Sequence, residues 1–378
     1  MKVLFCDNSL RSLINFRNDV ICSYAKDGWE VVLVAPKDFE YHPDYGNIKY
    51  IEVKMHRSSK NIFKDTLYFH TLYSIYRKER PDYIFHYTIK PNIYGTVAAR
   101  LCNIPSTAML PGLGYAFNKT GGSAIARSLY RMALRFSDYV MVLNRYNRDV
   151  VLREKIAVPR QLILLKSGEG INLEYFDRQP LETLHKSDKT VFLMISRLLY
   201  DKGYSEYVNA AKEIKAAYPQ TEFRLLGNVD ESYPNFVPAS VVRNDDEVGY
   251  INYLGFKSDV RTSLYEADCI VHPSFYNEGL SRVLMEALAM QKPIITTDIP
   301  GCRETVDPGR NGYIVKAHSV ESLADGIRKF LALSEDERKQ MGIYGRRKAE
   351  KEFDVKNVIA VYKKITDRLQ TNQDNHHE

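Results

Sequence analysis

Short β-branched and aromatic runs alternate along this chain with longer stretches in which apolar residues recur every three or four positions. "KVLFC" is followed by "LINFRNDVICSYAKDG" and "EVVLVAP", and the rhythm continues through "PDYIFHY", "NIYGTVAARLCNIP", "STAML" and "DYVMVLN". Strand and helix in alternation predict a parallel sheet covered by helices on both faces. The polar stretch "DRQPLETLHKSDKT", residues 177–190, interrupts the pattern. It then restarts with "VFLMIS", "YSEYVNAAKEIKAAYP", "EFRLLG", "INYLGF", "DVRTSLYEAD", "CIVHPS", "SRVLMEALAMQ" and "PIITTD". Two doubly wound α/β domains are therefore expected, spanning 1–170 and 171–352. Residues 353–378 hold a closing amphipathic helix, "VKNVIAVYKKITDRL", expected to pack back on the first domain, and a polar tail.

Length agrees with two cores, since 378 residues exceed what one usually organises. No run approaches the roughly 18 apolar residues of a spanning helix. The opening "MKVLFCDNSLRSL" reads as a first strand rather than a signal peptide, so a cytoplasmic location is expected. Five widely spaced cysteines with no C-x-x-C argue against a disulfide framework or a structural zinc site, and read as free thiols. Charge is uneven: residues 1–180 hold 26 Lys and Arg against 17 Asp and Glu, a net +9, while the rest hold 27 against 30. That asymmetry points to an anionic partner for the first half: a membrane surface, a nucleic acid or a phosphorylated lipid.

In doubly wound sheets ligands sit beyond the carboxyl ends of the strands, which directs attention to the loops after "VFLMIS" and "CIVHPS". The first, "SRLLYDKG", carries Arg197 and Lys202, two cations suited either to a diphosphate or to surface ion pairs. The second leads into "YNEGLSRVLMEALAM", where Ser281 is a good N-cap and the amides after Gly279 would face the same strand-end space. Glu286 falls on a helix that is apolar nearly all round, so it needs a partner: Arg282 four residues earlier, or a ligand diol. Glu278 precedes the helix in a turn. At about 100° per residue the two glutamates do not share a helical face, which separates them into two binding tasks.

"SRLLYDKG", "YLGFKSDV", "EADCIVHPSFYNEGLSRVLMEALAMQKPIITTDIPGCRET" and "NGYIV" together resemble, in order and spacing, the retaining glycosyltransferases of family 4. The resemblance implies the GT-B fold, two Rossmann-like domains facing across a cleft. It also implies a nucleotide sugar, UDP-linked, as co-substrate, with no other cofactor and no metal; no D-x-D occurs in the chain. By the same resemblance, Arg197 and Lys202 hold the donor diphosphate, Glu286 the ribose and Glu278 the sugar hydroxyls. Gly279, Leu280 and Ser281 supply amides to phosphate and sugar, and Gly255 and Phe256 flank the base.

In the first half, "TIKPNIYGTVAAR" and "LPGLGYAF" resemble a branch of that family that builds surface polysaccharides and lipid-linked oligosaccharides. The implied activity is transfer of a hexose or N-acetylhexosamine to an undecaprenyl-diphosphate saccharide in capsule, O-antigen or glycoprotein glycan synthesis. Lys90, Asn92, Gly112 and Gly114 are the candidates for the cleft, while His86 either faces the donor sugar or is structural and His272 reads as packing. Many relatives have a glycine-rich loop after the first strand; here "DNSLRSLINFR" has no glycine, leaving Arg17 as the candidate substitute. "SAIARSLYRMALRF" carries Arg127, Arg131 and Arg135 beside apolar residues, which suits either a solvated face or an anionic membrane. Peripheral contact with the inner face of the cytoplasmic membrane is the expectation.

The expected activity is thus that of a retaining, metal-independent hexosyltransferase. A sugar-nucleotide epimerase of the same architecture and a noncatalytic nucleotide-sugar-binding protein are the alternatives. A nicotinamide dehydrogenase is disfavoured because no G-x-G-x-x-G follows a predicted strand. No recognised module supports nucleic-acid binding.

Overall fold

The computed structural model describes the chain except Phe39, 56–60, 113–121, 182–186, Ser232, Pro234, Glu278 and 375–378. It divides into two compact units, residues 1–169 with 355–378, and residues 170–354.

In the first unit the chain runs β1 (Lys2–Cys6), α1 (Leu10–Lys26), β2 (Glu30–Ala35), β3 (Ile48–Glu52), α2 (Ile62–Glu79) and β4 (Tyr83–Tyr87). A π-helical turn, Pro91–Gly95, leads into α3 (Thr96–Leu101), β5 (Ser106–Leu110), α4 (Gly122–Leu134), β6 (Tyr139–Val142), α5 (Arg145–Arg153) and β7 (Leu162–Leu164). Among the described residues the strands form one parallel sheet in the order β3-β2-β1-β4-β5-β6-β7. Strand order reverses between β1 and β4, whose register pairs Val3 with Tyr83 and Cys6 with His86. β1, β2 and β4 are buried on both faces, which is why they read as continuous apolar runs. Leu4, Cys6, Val32 and Val34 pack with Tyr68, Leu72 and Tyr76 of α2 on one face. On the other, Phe5, Tyr24 and Phe85 form an aromatic cluster that Tyr362 joins.

Tyr362 belongs to the final helix of the chain (Val355–Asp374). Its hydroxyl meets that of Tyr87 at 3.1 Å, and the Tyr24 hydroxyl donates to its carbonyl at 3.0 Å. Buried tyrosines of this kind need a partner for each hydroxyl, and here they supply one another. The helix thereby completes the hydrophobic cover of the first sheet.

The second unit contains β8 (Thr190–Ile195), α6 (Tyr204–Ala217), β9 (Thr221–Leu226), α7 (Ala239–Glu247), β10 (Asn252–Tyr253), α8 (Arg261–Glu266) and β11 (Cys269–His272). It continues with α9 (Arg282–Ala289), β12 (Ile294–Thr297), β13 (Gly312–Val315), α10 (Val320–Leu331) and α11 (Glu335–Lys348). Its parallel sheet has the order β10-β9-β8-β11-β12-β13, again with the reversal between the first strand and the fourth. The loops leaving β8 and β11 begin at that reversal, where a doubly wound sheet opens its binding crevice. Phe192, Phe223, Tyr207 and Phe330 fill the core on the α6 and α10 side. Among the described residues, no helix is long and apolar enough to cross a membrane.

Candidate active site

Beyond the end of β8 the chain turns through Ser196 and Arg197 into a 3-10 turn, Tyr200–Lys202. The Arg197 guanidinium lies 4.1 Å from the ring centroid of Tyr233, and the Lys202 ammonium 4.8 Å from that of Tyr276. An aromatic face attracts a cation and limits its rotamers, so both charges are held at the strand end. Lys202 is buried, whereas Arg197 is half-buried. Gly203 follows with φ +82, and a Cβ there would lie 2.3 Å from the Pro273 carbonyl oxygen. Only glycine allows the β8 loop to approach the β11 loop this closely.

Hydrogen bonds then join the two loops. The Asp201 carbonyl accepts from the amides of Phe275 at 2.9 Å and Tyr276 at 3.0 Å. Thr297 at the end of β12 donates its hydroxyl to the Ser274 carbonyl, and Thr296 donates to the His272 carbonyl at 2.7 Å. The Ser281 amide donates to the Gly301 carbonyl at 2.8 Å. α9 begins beyond this braced segment.

Ser281 occupies the N-cap position of α9, but its side chain makes no capping bond; its Oγ lies 3.4 Å from His272 Nε2. The helix end keeps its positive dipole, which favours an anion. Gly279, Leu280 and Ser281 are all buried in this approach. Of the two glutamates flanking it, Glu278 lies outside the described residues.

Glu286 lies one turn into α9, 8% exposed, with Oε1 accepting from Arg282 Nε at 2.8 Å. The pairing offered by helical spacing is made. Burial raises the Glu286 pKa, Arg282 opposes the shift through charge and hydrogen bonding, and Asp259 adds to it. On the neighbouring strand end, Gly255 has φ +68 and its carbonyl accepts from the Gly227 amide at 2.9 Å. Phe256 is 59% exposed. Arg197, Lys202, Gly255, Phe256 and Gly279–Ser281 therefore all belong to loops at one edge of one sheet, with Glu286 set behind them.

The first-unit candidates are more scattered. Arg17 is buried between two carboxylates, with Nη1 3.3 Å from Asp7 and Nη2 2.9 Å from Glu169, and stacks 4.0 Å over Tyr87. Burial opposes its charge, but Glu169 and Asp7 more than restore it. Its guanidinium is committed to internal partners. His86, grouped with the cleft residues because it ends a strand, is wholly buried: its Nε2 is 3.0 Å from the Tyr76 hydroxyl, and a Cβ on Gly95 would lie 2.5 Å from its ring. Burial lowers its pKa to about 3, so it is neutral. Lys90 donates to Asp65 at 2.6 Å, and buried Asn92 donates to the Met109 carbonyl at 2.7 Å. Gly112 is half-buried, and Gly114 lies outside the described residues. On α4, Arg127 and Arg131 both approach Glu154, at 3.6 and 3.3 Å, and Arg135 is exposed.

Residues 176–348 match the family model described as glycosyl transferases group 1, and residues 2–144 that described as glycosyl transferase 4-like. The chain belongs to the glycosyltransferases. The transferase is 27% identical over 388 aligned residues to the N,N'-diacetylbacillosaminyl-diphospho-undecaprenol alpha-1,3-N-acetylgalactosaminyltransferase of Campylobacter jejuni, covering 98% of this chain and 99% of that one. It is 23% identical over 280 residues to the UDP-Gal:alpha-D-GlcNAc-diphosphoundecaprenol alpha-1,3-galactosyltransferase of Escherichia coli, covering 71% and 70% of the two chains. Its backbone resembles sucrose-phosphate synthase from Thermosynechococcus elongatus with a TM-score of 0.81 at 18% identity, over 98% of this chain and 100% of that one. The transferase has the GT-B fold.

Sequence reasoning did not find Tyr233 and Tyr276, the rings beneath the two cations, or Asp201, whose carbonyl ties the loops together. Nothing local marks them, because each acts on a residue from another loop.

Proposed function

We propose that this transferase moves a hexose or N-acetylhexosamine from a UDP-sugar to an undecaprenyl-diphosphate-linked saccharide, with retention of configuration. The observation that carries this reading is that the β8 loop bearing Arg197 and Lys202 is hydrogen-bonded, at the β8/β11 reversal, to the β11 loop that leads into α9. The names of the Campylobacter and Escherichia relatives support the lipid-linked acceptor and, for the latter, the UDP donor.

In the proposed reaction the bond between the sugar carbon and the diphosphate oxygen breaks, and its electron pair stays on the departing diphosphate. Arg197, Lys202 and the α9 amides stabilise that growing charge more in the transition state than in the bound donor. The acceptor hydroxyl forms the new bond on the face the diphosphate leaves, and its proton passes to a leaving phosphate oxygen. Glu286, oriented by Arg282, receives the ribose diol, while Glu278 receives the sugar hydroxyls. Gly279, Leu280 and Ser281 line phosphate and sugar, and Gly255 and Phe256 the base. Lys90, Asn92, Gly112 and Gly114 contribute to the acceptor side. Arg127, Arg131 and Arg135 of α4 contact the membrane that carries the acceptor, at its cytoplasmic face.

Incubation with a panel of UDP-sugars and a lipid-linked saccharide, with the anomeric configuration of the product read by NMR, tests this reading. Arg197→Ala should lower kcat by about 100- to 1000-fold. Conversion of a UDP-sugar to its epimer without acceptor would overturn the assignment.

A further inference from the structure

The first two turns of α2 present large apolar side chains to solvent: Ile62 is 78%, Phe63 86% and Leu67 69% exposed. Ile89, just beyond β4, is 45% exposed. This turn is well anchored. The Asn61 side chain accepts from the amides of Phe63 at 2.9 Å and Lys64 at 3.4 Å, capping the helix. Asp65 accepts from Lys90 at 2.6 Å and from the Tyr94 hydroxyl at 2.9 Å, which pins the turn to the π-helical segment Pro91–Gly95. Further along α2, Tyr68 and Leu72 are buried, so the helix has an inner apolar face and a separate outer one.

An outward apolar cluster on a rigid, capped turn marks a contact surface. The neighbouring sequence indicates what is contacted. Residues 54–64 of the sequence carry Lys54, Arg57, Lys60 and Lys64 and no acidic residue, and Asp65 is already paired with Lys90. Ile93 of the π-helical segment shares a core cluster with Tyr130 and Leu134 of α4. The α2 turn and α4 therefore brace the same segment, and α4 exposes Ile125 at 69% and Met132 at 57%. Apolar side chains flanked by a basic run suit the boundary between headgroups and acyl chains of an anionic bilayer.

We propose that the start of α2 inserts Ile62, Phe63 and Leu67 into an anionic bilayer, with Lys64 meeting lipid phosphates. The proposal rests on the membrane-borne acceptor of the preceding reading for the identity of the partner. It moves the apolar anchor away from the α4 arginines, two of which face Glu154.

The test uses the full chain and vesicles of phosphatidylcholine and phosphatidylglycerol at roughly seven to three, with pure phosphatidylcholine as the neutral comparison. The parent protein should sediment with the anionic vesicles and much less with the neutral ones. The triple variant Ile62→Ser/Phe63→Ser/Leu67→Ser should bind the anionic vesicles about tenfold or more weakly. All three side chains are exposed, so the variant should melt like the parent. In a second arm, Phe63→Trp should show a blue-shifted emission on anionic vesicles, against a constant background from buried Trp29. Unchanged sedimentation of the triple variant, or no shift at position 63, would overturn the proposal. So would parent self-association that the triple substitution abolishes while vesicle binding persists, since the turn would then be an interface between copies. The vesicle arms require no donor and stand apart from sugar transfer, which is followed separately as UDP release.

Discussion

Gly203 and Pro273 touch in a way that no other residue at position 203 could reproduce: a Cβ there would lie 2.3 Å from the Pro273 carbonyl oxygen, and the backbone has φ +82. The contact sets the height of Lys202 relative to the loop entering α9. Gly203→Ala should cost about 2–3 kcal/mol in urea melts and weaken donor binding, because clash and left-handed strain act together. Gly249 is the control, with φ +80 and nothing within 4 Å of the place a Cβ would take. Gly249→Ala should cost only the conformational part, about 1 kcal/mol, and leave donor binding unchanged. Equal losses in the two variants would show that the contact with Pro273 is not what holds the loops.

In the proposed reading, Glu286 sets donor binding against stability. Its folded pKa is raised by burial above the ordinary 4.5, with Arg282 opposing. A raised carboxylate binds its proton more tightly in the folded chain than in the unfolded one. Its favourable contribution is thus complete below pH 4.5 and is lost as pH rises through the higher folded value. Glu286→Gln removes that dependence, so urea melts should show the variant gaining on the parent as pH rises from 4.5. Donor affinity should move the other way, falling about tenfold or more with the loss of a charged hydrogen-bond acceptor. A variant that keeps parental donor affinity would remove Glu286 from the ribose site.

Much of the second unit was legible because its motifs are local. Arg197 and Lys202 share one loop, Gly279 to Glu286 one loop and helix, and the buried parallel strands between them read as apolar runs. The hydrophobic pattern does not single out β3, an edge strand in which Lys49 and Glu52 are exposed, or α2. In α2 the usual amphipathic signal is blurred, since Ile62, Phe63 and Leu67 point outward while Tyr68, Leu72 and Tyr76 point inward. Charge neutralisation was the least legible property. Arg17 reads as the candidate substitute for a glycine-rich loop after the first strand, yet one of its partners, Glu169, lies 152 positions away. Whether a cation serves a ligand or a buried carboxylate is decided by the fold, and a single sequence does not carry that information.

His86 provides the sharpest contrast between a strand-end histidine as read from sequence and as folded. Its ring is sealed between Tyr76 and Gly95, and burial lowers its pKa to about 3 from the ordinary 6.5. Between these values the unfolded chain binds a proton that the folded chain does not, so stability is present above pH 6.5 and is lost as pH falls towards 3. The slope from this one group reaches at most about 1.4 kcal/mol per pH unit. His86→Gln keeps a polar side chain near the Tyr76 hydroxyl and removes the titration. The stability of the parent relative to the variant should therefore decline steadily as the pH of urea melts is lowered from 6.5, and be constant above it. Sugar transfer by the variant should match the parent in kcat, because the imidazole is wholly enclosed. A flat stability difference combined with a large fall in kcat would instead return His86 to the donor sugar.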